Sequence, residues 1–352
     1  MLVFAVMLAN SYAKDQVPEK APHFTADAQW LDTSTEGKKV PHSIKGYHGQ
    51  VLLIDFWEYT CINCIRDFAV LKRWYRKYHP YGFEIVGVHY AEFTMGSNAS
   101  NVRDAAKRFQ LPWPVVADPK GSIWRAYHSN VWPNRYLIDQ EGDIVLHVEG
   151  ETDNEVMEAK IRELLAKTHP EVSQIPPDPP ENTFAPSCGI PTDETYVGDF
   201  YGRGAIANAQ HHSDGDATSF KASGAPPDGK VMLSGRWTPL REGASSAEKH
   251  GEATLRYHAR SVYAVLSVED PKKPVRVYLL QDGKPLGQSE SGMDVRFDSQ
   301  GSFLEVGEPR MYYLVKNSAS GSHLLTLEPQ APLVTLHSFT YGNDCQQNFE
   351  QR

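Results

Sequence analysis

A continuous apolar run, VLLIDFW from Val51 to Trp57, restricts the fold more than any other stretch of the sequence. Apolar and β-branched residues without polar alternation are typical of a strand covered on both faces. The stretch FEIVGVHY, from Phe83 to Tyr90, has the same character. Because such strands need packing layers above and below them, the two runs predict a sheet that lies between helices.

The residues around these two strands alternate between helical and strand patterns. Cys61 to Tyr78, Asn98 to Phe109 and Asp153 to Lys167 have the apolar spacing of helices. Arg135 to Gly150 indicates two strands that are joined by a turn at Gln140, Glu141 and Gly142, and such strands pair antiparallel. Strands separated by helices predict an α/β domain with crossover connections, which we place at residues 14–168.

The pattern changes in the second half of the chain. Residues 169–191 are rich in proline and have no periodicity, which predicts a linker. Short alternating stretches then follow between Gly, Pro and Asp-Gly turns, as in SVYAVLSVED and VRVYLLQDGKPLG. This spacing predicts an antiparallel β-sandwich over residues 192–352.

The N-terminus predicts export. MLVFAVMLANSYAKDQ contains a short apolar run, and Ser11 and Ala13 suit the −3 and −1 positions of signal peptidase, so residues 1–13 are interpreted as a signal peptide. No Lys or Arg precedes the run, and the alternative is the remnant of a longer membrane-attached precursor. We expect a periplasmic or extracellular protein, held at a membrane only through a partner, in a compartment where disulfides persist.

Composition excludes two classes of protein. The formal net charge is −9 with Lys and Arg mixed among the acids, so no basic face is available for the phosphates of nucleic acid. Four cysteines in 352 residues are too few for a disulfide-scaffolded mini-protein. The remaining candidates are enzymes and protein- or ligand-binding modules.

Cys61 and Cys64 stand where the first strand ends and a helix begins. A zinc site needs two more ligands, and none follows at the expected spacing, so no metal is predicted. Two cysteines that are only buried structural residues are expected within a strand or in the middle of a helix, not at the junction between them. The unpaired N–H groups and the dipole of a helix N-terminus stabilise a thiolate and lower the pKa of its thiol. We therefore predict a redox-active pair, with Cys61 as nucleophile, Cys64 as resolving thiol and no further cofactor.

The stretch DFWEYTCINC resembles the active site of thioredoxin-fold proteins. The resemblance implies that Asp55 is a buried proton carrier for Cys64, although an Asp in an apolar strand is equally consistent with a satisfied buried acid. VWPNRYLIDQEGDIV resembles the strand start that holds a cis-proline in this fold. This implies a cis bond between Trp132 and Pro133 whose backbone lines the substrate site, whereas a proline there is otherwise an ordinary edge-strand residue.

More narrowly, the chain resembles the TlpA-like thiol-disulfide oxidoreductases, and especially the soluble half of DipZ-type proteins. The motifs are the CINC pair, VGVHYAEF, WPVVADPKGSIWRAY and WPNRYLID, which lie between about Pro22 and Leu165. PTDETYVG, HLLTLEP and HSFTYG resemble the β-sandwich that follows in those proteins and is likened to a carbohydrate-binding module. The resemblance implies protein thiols or disulfides as substrates and a membrane or periplasmic electron donor.

Four further residues are candidates for roles at this site. Trp57 and Thr60 lead into the cysteine motif and are predicted to help position the substrate. His89 and Glu92 follow the end of the second strand and are accessory candidates, although a loop Glu is usually only solvated.

The sequence also raises two other interpretations. A peroxiredoxin nucleophile needs Thr three residues and Pro seven residues earlier, where this chain has Glu58 and Ile54, so that class is set aside. In the second, the β domain is the functional part, a glycan- or protein-binding module on a thioredoxin-like scaffold. Carbohydrate is then a candidate ligand, bound by a sugar-stacking platform of aromatic side chains. An equal number of aromatic residues is needed only to fill a sandwich core, so their presence alone does not indicate sugar binding. The platform would consist of Trp237, Tyr257, Tyr263, Tyr278 and Tyr312.

Cys188 and Cys345 flank the second domain. In an exported protein they are predicted to form a disulfide, which would contribute about 4 kcal/mol in the chain-entropy model. Two surface thiols are the alternative.

Overall fold

The computed structural model describes residues 19–31, 40–180, 185–199, 204–209 and 215–346. The predicted signal peptide lies outside these ranges. By backbone contacts the chain divides into two compact units, one of Met1–Glu58 with Asp67–Pro180, and one of Tyr59–Arg66 with Glu181–Arg352. Within the described ranges, no helix has both the length and the apolar character needed to cross a bilayer.

The N-terminal half is a mixed six-stranded sheet with helical connections, in the strand order β1-β4-β3-β2-β5-β6. The three central strands β2, β3 and β4 are parallel, and β1, β5 and β6 pair antiparallel at the two sides. The predicted thioredoxin-like α/β fold is confirmed. Its elements are β1 Gln29–Leu31, β2 Val51–Trp57, α1 Ile62–Tyr78, β3 Phe83–His89, α2 Ala99–Arg108, β4 Val115–Ala117, α3 Ser122–Ala126, β5 Asn134–Ile138, β6 Ile144–Glu149 and α4 Asn154–Ala166.

Strand β2 is buried along its whole length and divides its side chains between two cores. Leu52, Ile54 and Phe56 enter one apolar cluster. Because side chains alternate along a strand, Asp55 and Trp57 point to the opposite face. That face is covered by α1, since the Trp57 ring packs edge-on against Phe68 of α1 at 5.4 Å. Asp55 is therefore a polar residue beneath the helix that follows the cysteine motif.

The C-terminal half is all-β and antiparallel, and its strands are joined by hydrogen bonds into one folded sheet. The predicted all-β domain is confirmed. Within it, β11 pairs with β9 and β17, and β10 also pairs with both, so these four strands close a circuit. The strands are β7 Thr195–Tyr196, β8 Thr218–Phe220, β9 Val231–Leu240, β10 Gly243–Ser246, β11 Glu252–Val268, β12 Val275–Gln281, β13 Lys284–Pro285, β14 Arg296–Asp298, β15 Gly301–Val306, β16 Arg310–Pro329 and β17 Val334–Gly342.

Two strands of this domain are much longer than the short strands that the sequence predicts. β11 has 17 residues and β16 has 20, and they pair with each other. The pairing shifts register after Ala259 and again after Val262. Such shifts bend a strand and increase its twist, and the first of the two coincides with a change in which side chains of β11 point inward. The core side chains accordingly change from odd to even positions, in the order Ala253, Leu255, Tyr257, Ala259, Val262, Ala264 and Leu266.

Candidate active site

Cys61 immediately precedes α1 and caps it. The Cys61 carbonyl accepts the N–H of Ile65 at 3.1 Å, which is the first hydrogen bond of the helix. The Cys61 sulfur accepts the backbone N–H of Cys64 at 3.3 Å, in the way that an N-cap oxygen does. The sulfur therefore lies at the positive end of the helix dipole, where negative charge on it is stabilised.

The two cysteines differ in exposure, as nucleophile and resolving thiol should. Cys61 is half-buried, whereas Cys64 is 1% exposed in the first turn of α1. A client disulfide can approach only a sulfur that solvent reaches. The burial pattern therefore favours Cys61 as the first point of attack and Cys64 as the internal thiol that follows.

Asp55 is a buried acid without a hydrogen-bond partner. The residue is 1% exposed, and neither of its carboxyl oxygens has a hydrogen bond among the described residues. Burial is the largest cause that raises the pKa of the Asp55 carboxyl well above its ordinary value. The negative charge of Asp67 raises the pKa further, and the positive charge of Arg135 opposes the rise. The interpretation as a hydrogen-bonded, satisfied acid is therefore wrong, and a carboxyl whose pKa is raised by burial suits proton transfer.

The peptide bond between Trp132 and Pro133 is cis and leads directly into β5. The Trp132 side chain is half-buried. Its ring packs against Trp124 at 4.7 Å and against Tyr90 at 6.0 Å. An aromatic cluster thus holds this segment in place from one side.

Trp57 and Thr60 are both buried, with 0% and 1% of their surfaces exposed. The Trp57 ring packs against Phe68 at 5.4 Å and against His89 at 5.0 Å. Both side chains belong to the core, so a direct contact of the Trp57 ring with substrate is not available in this structure, and substrate positioning by Trp57 and Thr60 stays a prediction. The contact of the Trp57 ring with Phe68 fixes α1 on the sheet.

His89 lies at the end of β3 and is paired with Glu58, a residue that was not among the predicted site residues. Its Nε2 atom is 3.5 Å from Oε1 of Glu58, and both side chains are 1% exposed. Glu92 is also buried, with 9% of its surface exposed, so it is not the solvated loop acid that its position suggested. Glu58 directly follows β2. The position of this acid, between an apolar strand and a Cys-x-x-Cys pair, is the sequence feature that could have identified it as a site residue.

Cys188 and Cys345 form a disulfide in the β domain. Their Cα atoms are 5.1 Å apart across a sequence separation of 157 residues. The backbone N–H of Asp344 also donates to the Cys188 carbonyl at 3.0 Å. The bridge therefore ties the segment before β7 to the end of β17.

The proposed sugar-stacking platform is wrong. Its five aromatic side chains are between 0% and 8% exposed, because they point into the interior or pack beneath neighbouring strands. Tyr263 stacks on Tyr313 at 4.5 Å, and Tyr257 donates a hydrogen bond to Gln281 at 2.7 Å. The members are Trp237, Tyr257, Tyr263, Tyr278 and Tyr312.

Comparison with known proteins agrees with this geometry. Residues 17–147 match the AhpC/TSA family, and residues 192–342 match a family described as a thioredoxin-like C-terminal domain. Protein DipZ from Mycobacterium bovis is 31% identical over 329 residues, which are 92% of this chain and 43% of DipZ. The thiol-disulfide oxidoreductase ResA from Bacillus thuringiensis is 26% identical over 43% of this chain and 80% of ResA. Among solved structures, a thiol-disulfide isomerase from Corynebacterium glutamicum is 19% identical, with a TM-score of 0.36, over 42% of this chain and 98% of that one.

The match to DipZ covers both domains in one alignment, because it includes nine-tenths of this chain. The chain spans less than half the length of DipZ. The motif at Cys61 and Cys64 and the buried acid at Asp55 lie within residues 17–147, which match the AhpC/TSA family. Residues 17–147 therefore form a thioredoxin-like domain of the AhpC/TSA type, and the chain as a whole is similar to DipZ.

Proposed function

We propose that this chain is an exported thiol-disulfide oxidoreductase that exchanges disulfides with protein substrates through Cys61 and Cys64. The observation that carries the proposal is the hydrogen bond from the Cys64 N–H to the Cys61 sulfur at the start of α1. A sulfur held there is stabilised as a thiolate, which is the form that attacks disulfides. The similarity to ResA, a named thiol-disulfide oxidoreductase, supports the same chemistry.

The exchange proceeds in two displacements. The Cys61 thiolate attacks one sulfur of a client disulfide, a Cys61–client disulfide forms, and the other client sulfur leaves as a thiolate that takes up a proton. The ionised form of Asp55, whose raised pKa makes it a strong base, takes the proton of Cys64, and Cys64 then attacks the Cys61 sulfur and releases the second client thiolate. Two electrons pass to the client, and Cys61 and Cys64 become a disulfide. The same steps in reverse oxidise a client dithiol, and the reduction potentials of the partners set the direction.

The client segment is positioned by main-chain groups at the cis bond. The backbone of Trp132 pairs with an extended client segment next to the client's cysteine. Pro133 keeps the Trp132 backbone from being part of β5. The half-buried Trp132 ring supplies an apolar wall. Recognition through backbone groups and one apolar surface suits protein substrates of varied sequence.

Export is supported by the second cysteine pair. A disulfide between Cys188 and Cys345 persists in an oxidising compartment and is rare in the cytosol. For turnover in the reducing direction, the electron donor is a dithiol protein of the periplasm or the membrane, which returns the Cys61–Cys64 disulfide to the dithiol.

Trapping the intermediate tests the proposal. In Cys64→Ser the second displacement is lost, so we expect a stable mixed disulfide between Cys61 and oxidised insulin on a non-reducing gel. Peptide mass analysis should place the adduct on Cys61. Cys61→Ser, the matched control, should form no adduct because it has no accessible thiolate. Adducts in Cys61→Ser, or none in Cys64→Ser, would overturn the proposed function.

A further inference from the structure

Three charged side chains are buried together on the face of the sheet that α1 covers. Asp55 lies on β2, Asp67 on α1 and Arg135 on β5, and each is at most 2% exposed. Asp55 and Arg135 are paired residues of the antiparallel strands β2 and β5, so their side chains share one face. Asp67 follows Cys64 by one turn of α1. If all three were ionised, the two acids and one cation would together carry one negative charge in excess.

Arg135 is committed to Asp67 and to neutral acceptors. Its Nη1 donates to Oδ1 of Asp67 at 3.3 Å and to Oδ1 of Asn154 at 2.6 Å. Its Nη2 donates to the carbonyls of Gly150 at 3.1 Å and Thr152 at 2.6 Å. The guanidinium is always charged and is held in one orientation by these bonds to the loop between β6 and α4.

Asp55 receives no such bond. An ionised carboxylate that is buried without a partner is costly, whereas the neutral acid is tolerated. The direct bond from Arg135 goes to Asp67, so Asp67 is the acid that stays ionised. The proton of the group then belongs on Asp55.

We propose that Asp67 and Arg135 are positioning residues that keep the exchangeable proton on Asp55. Arg135 holds the Asp67 carboxylate, and the fixed negative charge of Asp67 favours the neutral form of Asp55. This inference rests on the proposed function for its purpose, because the proton is the one that Cys64 exchanges. Its test reads the Asp55 carboxyl directly and does not depend on disulfide exchange.

Charged groups other than Asp67 and Arg135 do not account for the protonation state of Asp55. On β3 the residue paired with Asp55 is Gly87, which has no side chain. On α4 the group that reaches Arg135 is the neutral Asn154, and Glu158 is bound to Lys77 at 3.2 Å. Glu158 also accepts a hydrogen bond from Tyr78 at 2.6 Å. The raised pKa of Asp55, caused first by burial and then by Asp67, agrees with this geometry.

Infrared spectroscopy of the full chain as dithiol, across pH, tests the proposal. The carbonyl band of a buried protonated carboxyl is assigned to Asp55 by its loss in Asp55→Asn. In Asp67→Asn, which keeps the shape and removes the charge, the midpoint of this band should move to lower pH by about one unit. Glu163→Gln removes the same charge from a side chain on α4 that is 58% exposed, and should leave the midpoint in place.

Two further measurements keep the test decisive if Asp67→Asn does not fold. The variant Asp67→Ser, which removes the same charge with a smaller side chain, should also have a midpoint below that of the wild type. In Asp55→Asn itself, the intensity of the protonated-carboxyl band below the wild-type midpoint should fall by that of one group. A midpoint that is unchanged or higher in either variant, or an undiminished band in Asp55→Asn, would overturn the inference. A shifted midpoint in a chain that traps no client would instead overturn the proposed function alone.

Discussion

Asp55→Asn slows the second displacement at neutral pH by about 10²–10⁴-fold, the usual contribution of a positioned acid–base group. The amide cannot accept the proton of Cys64, so the attacking thiolate forms only through solvent. Single-turnover reaction with oxidised insulin, followed by acid quenching and mass analysis, measures the lifetime of the Cys61–client disulfide. The first displacement serves as the internal control, because Cys61 does not depend on Asp55 for its thiolate.

The deficit of Asp55→Asn should become smaller as pH rises, since hydroxide then deprotonates Cys64 directly. A deficit of constant size at all pH values would contradict the proton-carrier role.

The stability of Asp55→Asn gives an independent readout of the same carboxyl. The folded-state pKa of Asp55 is raised, so its contribution to stability is present in acid and is lost as pH rises through that pKa. Asparagine has no such loss, and the free energy of unfolding of Asp55→Asn should exceed that of the wild type by a margin that grows with pH.

Removal of the second disulfide should destabilise the β domain by about 2–5 kcal/mol. The bridge joins residues that are 157 positions apart, so its loss gives the unfolded chain a large gain in conformational freedom. Hydrogen exchange at the amides of β7 and β17 in Cys188→Ala/Cys345→Ala measures the change where the bridge acts. Cys61→Ala/Cys64→Ala, which also removes two sulfurs, should leave exchange in those strands unchanged. Equal protection in the two double variants would contradict a stabilising bridge.

Much of the α/β domain could be predicted because local signals and tertiary packing agree there. The run from Val51 to Trp57 is a central strand because both of its faces are covered. The helix expected over Asn98 to Phe109 occupies Ala99–Arg108, and the Asn98 side chain accepts the N–H of Ser100 at its start. These features depend on neighbours in sequence, which a pattern records.

Features that depend on distant partners could not be predicted. Arg135 in the apolar stretch RYLID was a signal for a buried ion pair, but its partner Asp67 lies 68 residues away. The burial of Tyr278 and the other aromatic residues follows from how the long strands bend, which alternation along one strand does not record. The register shift after Ala259 is an example, because it changes the face of every later residue in β11.

Redox titration of the full chain against glutathione, with acid quenching, alkylation and peptide mass analysis, tests the central claim most directly. We expect the peptide with Cys61 and Cys64 to pass from dithiol to disulfide in one two-electron transition, with a tenfold change in ratio for each step of about 30 mV. Cys188 and Cys345 should remain joined over the same range. Cys61 and Cys64 that stay thiols throughout, or that end only as separate glutathione adducts, would contradict a redox-active pair.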